Sequence, residues 1–101
     1  MALLELSVMP LGTGTPSVSK YVVGAMKELQ KEKDLKFEFC SMGTTIEGDL
    51  DRLLAVARRM HESAFTAGAQ RVVTTIKIDD RRDEVAGIQT KINTVKRQLG
   101  Q

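Results

Sequence analysis

Two stretches of the sequence decide the fold: residues 43–48, Gly-Thr-Thr-Ile-Glu-Gly, and residues 71–82, Arg-Val-Val-Thr-Thr-Ile-Lys-Ile-Asp-Asp-Arg-Arg. Each is typical of a β-strand that carries polar side chains where a core strand would be apolar. In the second stretch, alternation divides the side chains into two faces: Val72, Thr74, Ile76 and Ile78 on one, and Val73, Thr75, Lys77 and Asp79 on the other. The strand is therefore predicted to have one buried face and one polar or mixed face. A polar sheet face is either solvated or used to bind something, and that choice decides the function.

The rest of the chain divides into segments with the periodicity of strands or helices. Residues 2–9 alternate between apolar and polar side chains, and residues 10–16 form a loop rich in Gly and Pro. The other predicted elements are a helix at 17–32, strands at 36–42 and 44–47, a helix at 49–67, a strand at 70–78 and a helix at 84–99. This order predicts an α+β fold, a ferredoxin-like βαββαβ sandwich with an additional C-terminal helix.

The two long helices are predicted to cover one face of the sheet. Leu54 lies in the apolar stripe of the second helix and should be buried, while Phe37 and Phe39 should point toward the core. The opposite, open face carries mostly polar side chains: Glu5, Ser7, Glu38, Cys40, Val73, Thr75 and Lys77, with Thr45 and Glu47. The last helix has a narrow apolar seam: Val85, Ile88, Ile92, Val95 and Leu99. The open face suits contact with another subunit, and the seam suits a sheet edge or a partner subunit.

The composition excludes several classes of protein. The 101 residues suffice for one domain, and 15 basic and 13 acidic residues give a formal net charge of +2. This balance indicates neither a nucleic-acid nor a membrane partner. Aromatic residues make up only 4%, so the open face lacks the stacking platform of an RNA-binding sheet. Cys40 is the only cysteine, which excludes an intrachain disulfide and predicts a reduced, cytoplasmic protein.

Few side chains indicate chemistry. His61 is the only histidine and is not followed by the second histidine of a zinc-binding helix, so we predict no metal site, no cofactor and no catalytic residue. The first loop contains no arginine to hold a phosphate, which weakens the interpretation as an acylphosphatase-like hydrolase. Glu47, beside Thr44 and Thr45, offers both acceptors and donors of hydrogen bonds, as a heterocycle with amino and ring-nitrogen groups requires.

Four segments together resemble a known family. They are residues 17–22, Ser-Val-Ser-Lys-Tyr-Val; 42–49, Met-Gly-Thr-Thr-Ile-Glu-Gly-Asp; 61–62, His-Glu; and 68–83, which include Ile-Lys-Ile-Asp-Asp-Arg. In this order they are similar to the small ferredoxin-like proteins known as thiamine-binding, or hydroxymethylpyrimidine-binding, proteins. The resemblance implies sheets that associate into dimers and often tetramers, and binding, without chemistry, of the pyrimidine part of thiamine. It also implies that the polar residues nearest the ligand are Ser17, Ser19, Thr44, Thr45 and Glu47.

The sequence thus predicts one ferredoxin-like domain of the thiamine-binding type over residues 1–101. We expect a cytoplasmic homo-oligomer, a dimer or tetramer, that binds thiamine or its hydroxymethylpyrimidine moiety and is not an enzyme. Neither a nucleic acid nor a membrane is expected as a partner. Two alternatives stay open: a structural or interaction module whose open face serves self-assembly only, and, less favoured, a small acylphosphatase-like hydrolase.

Overall fold

The computed structural model describes residues 1–83 and 87–100, which form four strands and three helices. In chain order the elements are β1 (Ala2–Leu11), α1 (Ser19–Gln30), β2 (Lys36–Cys40), β3 (Gly43–Gly48), α2 (Leu50–Thr66), β4 (Arg71–Asp79) and α3 (Ile88–Gln98). The predicted order of elements is confirmed, with ends that differ by a few residues. The predicted start of the last helix at residue 84, and Val85 of its seam, lie outside the described residues.

The four strands form one antiparallel sheet in the order β2-β3-β1-β4, so that β1 and β3 are central and β2 and β4 are edges. Leu4 of β1 pairs with Ile46 of β3 and with Ile78 of β4, which places all three on the same face of the sheet. The fold is therefore α+β and ferredoxin-like, as the sequence predicted.

Helices α1 and α2 pack on this apolar face and enclose the core. Its fully buried large side chains are Leu4, Leu29, Ile46, Leu53, Val56 and Met60. Burying such a side chain stabilises a fold by about 1.5–3 kcal/mol. Helix α2 is also linked to the segment that follows α1, since Arg52 of α2 donates to Glu32 at 2.9 Å and to Asp34 at 2.5 Å. The Arg52 guanidinium lowers the pKa of both carboxyl groups by hydrogen bonding to them.

The prediction that Leu54 is buried is wrong, because its side chain is 40% exposed. The buried stripe of α2 consists of Leu53, Val56, Ala57, Met60 and Ala64. Successive helical residues are 100° apart, so a buried stripe centred on Leu53 leaves Leu54 on its flank. The orientation predicted for Phe37 and Phe39 is right, since both share the face of Ile46. Their burial is incomplete, 37% and 57% exposed, because β2 is an edge strand.

Helix α3 lies on the opposite, open face of the sheet. Ile88 is buried there, and Lys91 Nζ donates to Asp79 Oδ2 at 2.7 Å. The first half of the apolar seam is thus docked on the face of the sheet, whereas the sequence analysis predicted that the seam suits a sheet edge or a partner subunit. Val95 and Leu99, in the second half of the seam, remain exposed.

Candidate functional site

A row of polar side chains crosses the open face of the sheet from one edge to the other. The strand register places Glu38 opposite Thr45, Thr45 opposite Glu5, and Glu5 opposite Lys77. Directly opposed residues on one face have Cβ atoms about 4.5–5.5 Å apart. The register therefore brings two carboxylates, a hydroxyl and an ammonium group into one line across four strands.

Helix α3 forms a roof above this row and bounds an open cavity with it. The cavity has a volume of about 320 Å³. Its floor and walls are Leu3, Glu5, Glu38, Cys40, Thr45, Lys77 and Asp79, and its roof is Ile88, Lys91 and Ile92. Within residues 1–83 and 87–100, the side chains of Glu5, Glu38 and Lys77 form no hydrogen bond or ion pair with another side chain. They are thus available to a ligand, whereas Lys91 is held by Asp79.

Of the predicted site residues, Thr45 and Glu47 lie on this open face. Thr45 belongs to the polar row, and Glu47 follows it at the next open-face position of β3. The Glu47 carboxylate packs against Gly87, so closely that a Cβ atom on Gly87 would overlap Glu47 Oε1. Gly87 is the N-cap of α3, whose first turn, Ile-Gln-Thr-Lys, contains no acidic residue. Glu47 therefore places a negative charge beside the positive end of the α3 dipole.

Thr44 lies on the other face of the sheet, because adjacent strand residues point to opposite sides. Its side chain is 5% exposed, and its hydroxyl donates to Met26 Sδ at 3.6 Å. The structure therefore separates Thr44 from Thr45 and Glu47 by the thickness of the sheet.

Ser17 and Ser19 lie at the start of α1 and are exposed, with their Oγ atoms 3.4 Å apart. Val18, between them, lines a second cavity of about 180 Å³, which Thr44 also lines. This cavity is mainly apolar, with Met9, Met26, Met42 and Met60 in its wall. The five predicted site residues thus divide between two places, Ser17, Ser19 and Thr44 near the methionine-lined cavity and Thr45 and Glu47 beneath α3. Their role in ligand binding stays a prediction.

Sequence reasoning assigned Glu5 and Glu38 to the open face but not to a site. The alternation of β1 and β2 fixes the face of each carboxylate. Their closeness to Thr45 depends on the pairing register, which no local pattern contains. Lys91, from α3, was also missed, because nothing in a helical pattern shows which face of a sheet the helix will meet.

His61 has a structural environment. Its Nδ1 lies 2.6 Å from Thr74 Oγ1, and its ring meets the edge of Phe65 with centroids 5.3 Å apart. Over the described part of the chain, no group of three or more His, Cys, Asp or Glu side chains is arranged to hold a metal ion. None of the helices described there has the length and apolar character needed to cross a bilayer.

Comparison with known proteins agrees with the fold. The chain is 43% identical to the UPF0045 protein YqgV of Bacillus subtilis over 102 residues, which cover 98% of each chain. A crystal structure of a hypothetical protein from Methanocaldococcus jannaschii has a TM-score of 0.84 and 39% identity, covering 93% of this chain and 94% of that one. A domain of unknown function from Bacillus cereus has a TM-score of 0.80 and 34% identity, covering 90% and 86%. The family model described as thiamine-binding protein matches residues 4–96. The chain therefore belongs to the thiamine-binding protein family.

Proposed function

We propose that this protein binds thiamine or its hydroxymethylpyrimidine part in the cavity beneath α3. The observation that carries the proposal is the row of Glu38, Thr45 and Glu5 across the cavity floor. An aminopyrimidine presents an amino donor and ring-nitrogen acceptors. The carboxylates can accept from the amino group, and the Thr45 hydroxyl can donate to a ring nitrogen. The family description, thiamine-binding protein, supports the same ligand class.

The size and lining of the cavity favour a small aromatic ligand. A volume of about 320 Å³ is at the lower end of the range of about 300–1,000 Å³ that is usual for small-molecule sites. Ile88 and Ile92 provide an apolar surface above the polar row, suited to the face of a heterocyclic ring. Thiamine also carries a fixed positive charge on its thiazolium ring, which the two carboxylates would attract. A pyrimidine ring beneath α3 with the thiazolium toward the exposed end of the cavity satisfies these features.

The proposal includes the setting in which the protein works. We propose that it binds without catalysis, as a cytoplasmic homo-oligomer, a dimer or tetramer, and that residues 1–101 act as one domain. We do not propose catalysis, because the polar row offers acceptors and donors of hydrogen bonds without an activated nucleophile. A cytoplasmic location suits the single thiol of Cys40, which a reducing compartment would keep free. The alternative, an interaction module without a ligand, is favoured by the exposed apolar side chains along β4.

Isothermal titration calorimetry with hydroxymethylpyrimidine and with thiamine tests the proposal. Glu5→Gln keeps the shape of the side chain but removes its charge. Because Glu5 is exposed, the loss should be that of an ordinary hydrogen bond, about 0.5–1.5 kcal/mol, which weakens binding about 2- to 12-fold. Glu62→Gln is the matched control, because Glu62 is an exposed carboxylate on α2, away from the cavity, and it should bind as the parent does. Circular dichroism checks that both variants fold.

Two results would contradict the proposal in different ways. If the parent protein gives no binding heat with either ligand at millimolar concentration, the interaction module replaces the binding function. If the parent binds but Glu5→Gln and Glu38→Gln bind as tightly, the site is elsewhere. Ser17→Ala would then test the methionine-lined cavity.

A further inference from the structure

Helix α3 is attached to the sheet more firmly at its start than at its end. Gly87 and Ile88 are buried at the start, and Gly87 packs against the Glu47 carboxylate. Toward the end of the helix, the seam residues Val95 and Leu99 are 52% and 67% exposed. Because burial of apolar side chains is the main force that holds a helix on a sheet, α3 is held chiefly by its first turn.

Open space borders α3 in three places. The ligand cavity of about 320 Å³ lies beneath the helix and adjoins two further open cavities. One, of about 190 Å³, shares Asp79 and Lys91 with the ligand cavity, and the other, of about 590 Å³, shares Glu38 and Ile88 with it. A close-packed interior leaves few voids larger than a water molecule. Helix α3 is therefore not packed tightly on the sheet, and an element with few buried contacts undocks locally at a low free-energy cost.

One ion pair connects the middle of α3 to the sheet. Lys91 Nζ donates to Asp79 Oδ2 at 2.7 Å, one helical turn beyond the buried Ile88. Over residues 1–83 and 87–100, the other hydrogen bonds between side chains of α3 and their partners stay within the helix. Both members of the pair are more than half exposed, at 61% for Lys91 and 52% for Asp79. An exposed ion pair contributes little to stability, so this connection opens readily.

We propose that Asp79 and Lys91 form a latch that positions α3 over the ligand cavity. With the latch closed, Ile88 and Ile92 are held above the polar row, where a bound pyrimidine touches both the row and the helix. Such a ligand binds the docked position of α3 in preference to the undocked one, so that docking and binding stabilise each other. The latch rests on the proposed function for the identity of its ligand, but its effect on α3 can be measured in the ligand-free protein.

Hydrogen exchange of the ligand-free protein, followed by mass spectrometry on peptides from α3, tests the latch. Lys91→Met keeps the length of the side chain and removes its charge. It should speed exchange in α3 about two- to fivefold, the change expected from losing an exposed ion pair. Lys91→Arg keeps the charge and should exchange as the parent does. Lys96→Met is the matched control, because Lys96 is an exposed lysine of the same helix that does not line the cavity. Equal exchange in Lys91→Met and the parent overturns the latch.

Calorimetry with hydroxymethylpyrimidine separates a latch from direct contact with the ligand. Asp79→Asn and Lys91→Met should each weaken binding about two- to fivefold, because the docked position of α3 is less populated. The double variant should bind no more weakly than either single variant, since both changes remove the same pair. If the two losses multiply instead, Asp79 and Lys91 contact the ligand independently, and the positioning role is wrong.

The coupling between docking and binding has its own readout. In the parent, hydroxymethylpyrimidine at 100 times its dissociation constant should slow exchange in α3 by up to about 100-fold. If the parent binds the pyrimidine but α3 exchanges equally fast with and without it, the coupling is overturned while the ligand site stands. If the parent binds neither hydroxymethylpyrimidine nor thiamine, the proposed function fails, and the ligand-free exchange of Lys91→Met still decides whether the latch exists.

Discussion

Leu53 and Leu54 are adjacent leucines on α2 with opposite environments, and their replacement by alanine tests the orientation of the helix. Leu53 is fully buried and belongs to the core cluster, while Leu54 is 40% exposed. Leu53→Ala removes buried groups and leaves a cavity, so it should cost about 2–5 kcal/mol. Leu54→Ala removes side-chain groups that are only partly buried and leaves a space open to water. It should cost about 1.5 kcal/mol at most in the folded monomer.

The comparison is internally controlled, because both changes have the same effect on helix propensity and on side-chain entropy in the unfolded chain. Urea unfolding followed by circular dichroism gives the two free energies of unfolding. Both variants should be measured at one protein concentration, because self-association would change the apparent stability. In a thermal scan, Leu53→Ala should lower the melting temperature by roughly 10–30 °C. Equal losses, or a larger loss for Leu54→Ala under conditions where the protein is monomeric, would mean that α2 is rotated by about one residue from the orientation described above.

Three further predictions follow from the described contacts. Because Arg52 depresses the pKa of Glu32 and Asp34 in the folded state, the stabilisation from these pairs is present above their unfolded pKa values, near 4.5 and 3.8, and is lost as the pH falls through the lower folded values. Melting temperatures measured across this range should therefore fall less steeply with acid in Arg52→Ala than in Arg58→Ala, an exposed arginine of the same helix. Thr45→Val should weaken binding of the pyrimidine in calorimetry, whereas Thr44→Val should not, because Thr44 faces the core. A loss of binding for Thr44→Val but not for Thr45→Val would place the ligand at the methionine-lined cavity. Gly87→Ala should displace the Glu47 carboxylate and reduce the hydrogen-exchange protection of α3. Protection restored by adding Glu47→Ala would confirm the contact as the cause.

Most of the fold was accessible from the sequence because alternation and helical spacing are local properties. The two faces of β1 and β4 follow from period-two patterns, and the register agrees with those assignments at Leu4 and Ile78. The rotation of α2 was not accessible, because leucines at 53 and 54 both extend an apolar stripe of acceptable width. The full burial of Leu53 and Val56 in the core shows which leucine the tertiary packing selects.

The candidate site was less predictable than the fold, because it is made by contacts between distant parts of the chain. Polar side chains on β1, β2 and β3 were assigned to the open face. The pairing of Glu5 with Thr45 and of Thr45 with Glu38 depends on strand order and register. The position of α3 above the polar row is also a long-range feature. The seam of α3 indicates that the helix docks on another surface of the protein, but it does not identify that surface. A prediction from residue types alone therefore grouped Thr44 with Thr45, although the sheet separates them.

Glu47 shows why the residue type alone does not assign a role. Its carboxylate lies on the open face beside the polar row, where a ligand could use it, and against Gly87, where it stabilises the start of α3. A charge at a helix terminus stabilises the helix by about 0.3–1 kcal/mol. Removing a buried hydrogen-bond partner costs more, about 1–3 kcal/mol. Weaker pyrimidine binding in Glu47→Ala would thus have two possible causes. Hydrogen exchange separates them: unchanged protection of α3 assigns the loss to a ligand contact, and reduced protection assigns it to a displaced roof. The atoms that a Cβ on Gly87 would meet first belong to Glu47 and not to Glu5, which makes Glu5→Gln the cleaner test of the ligand site.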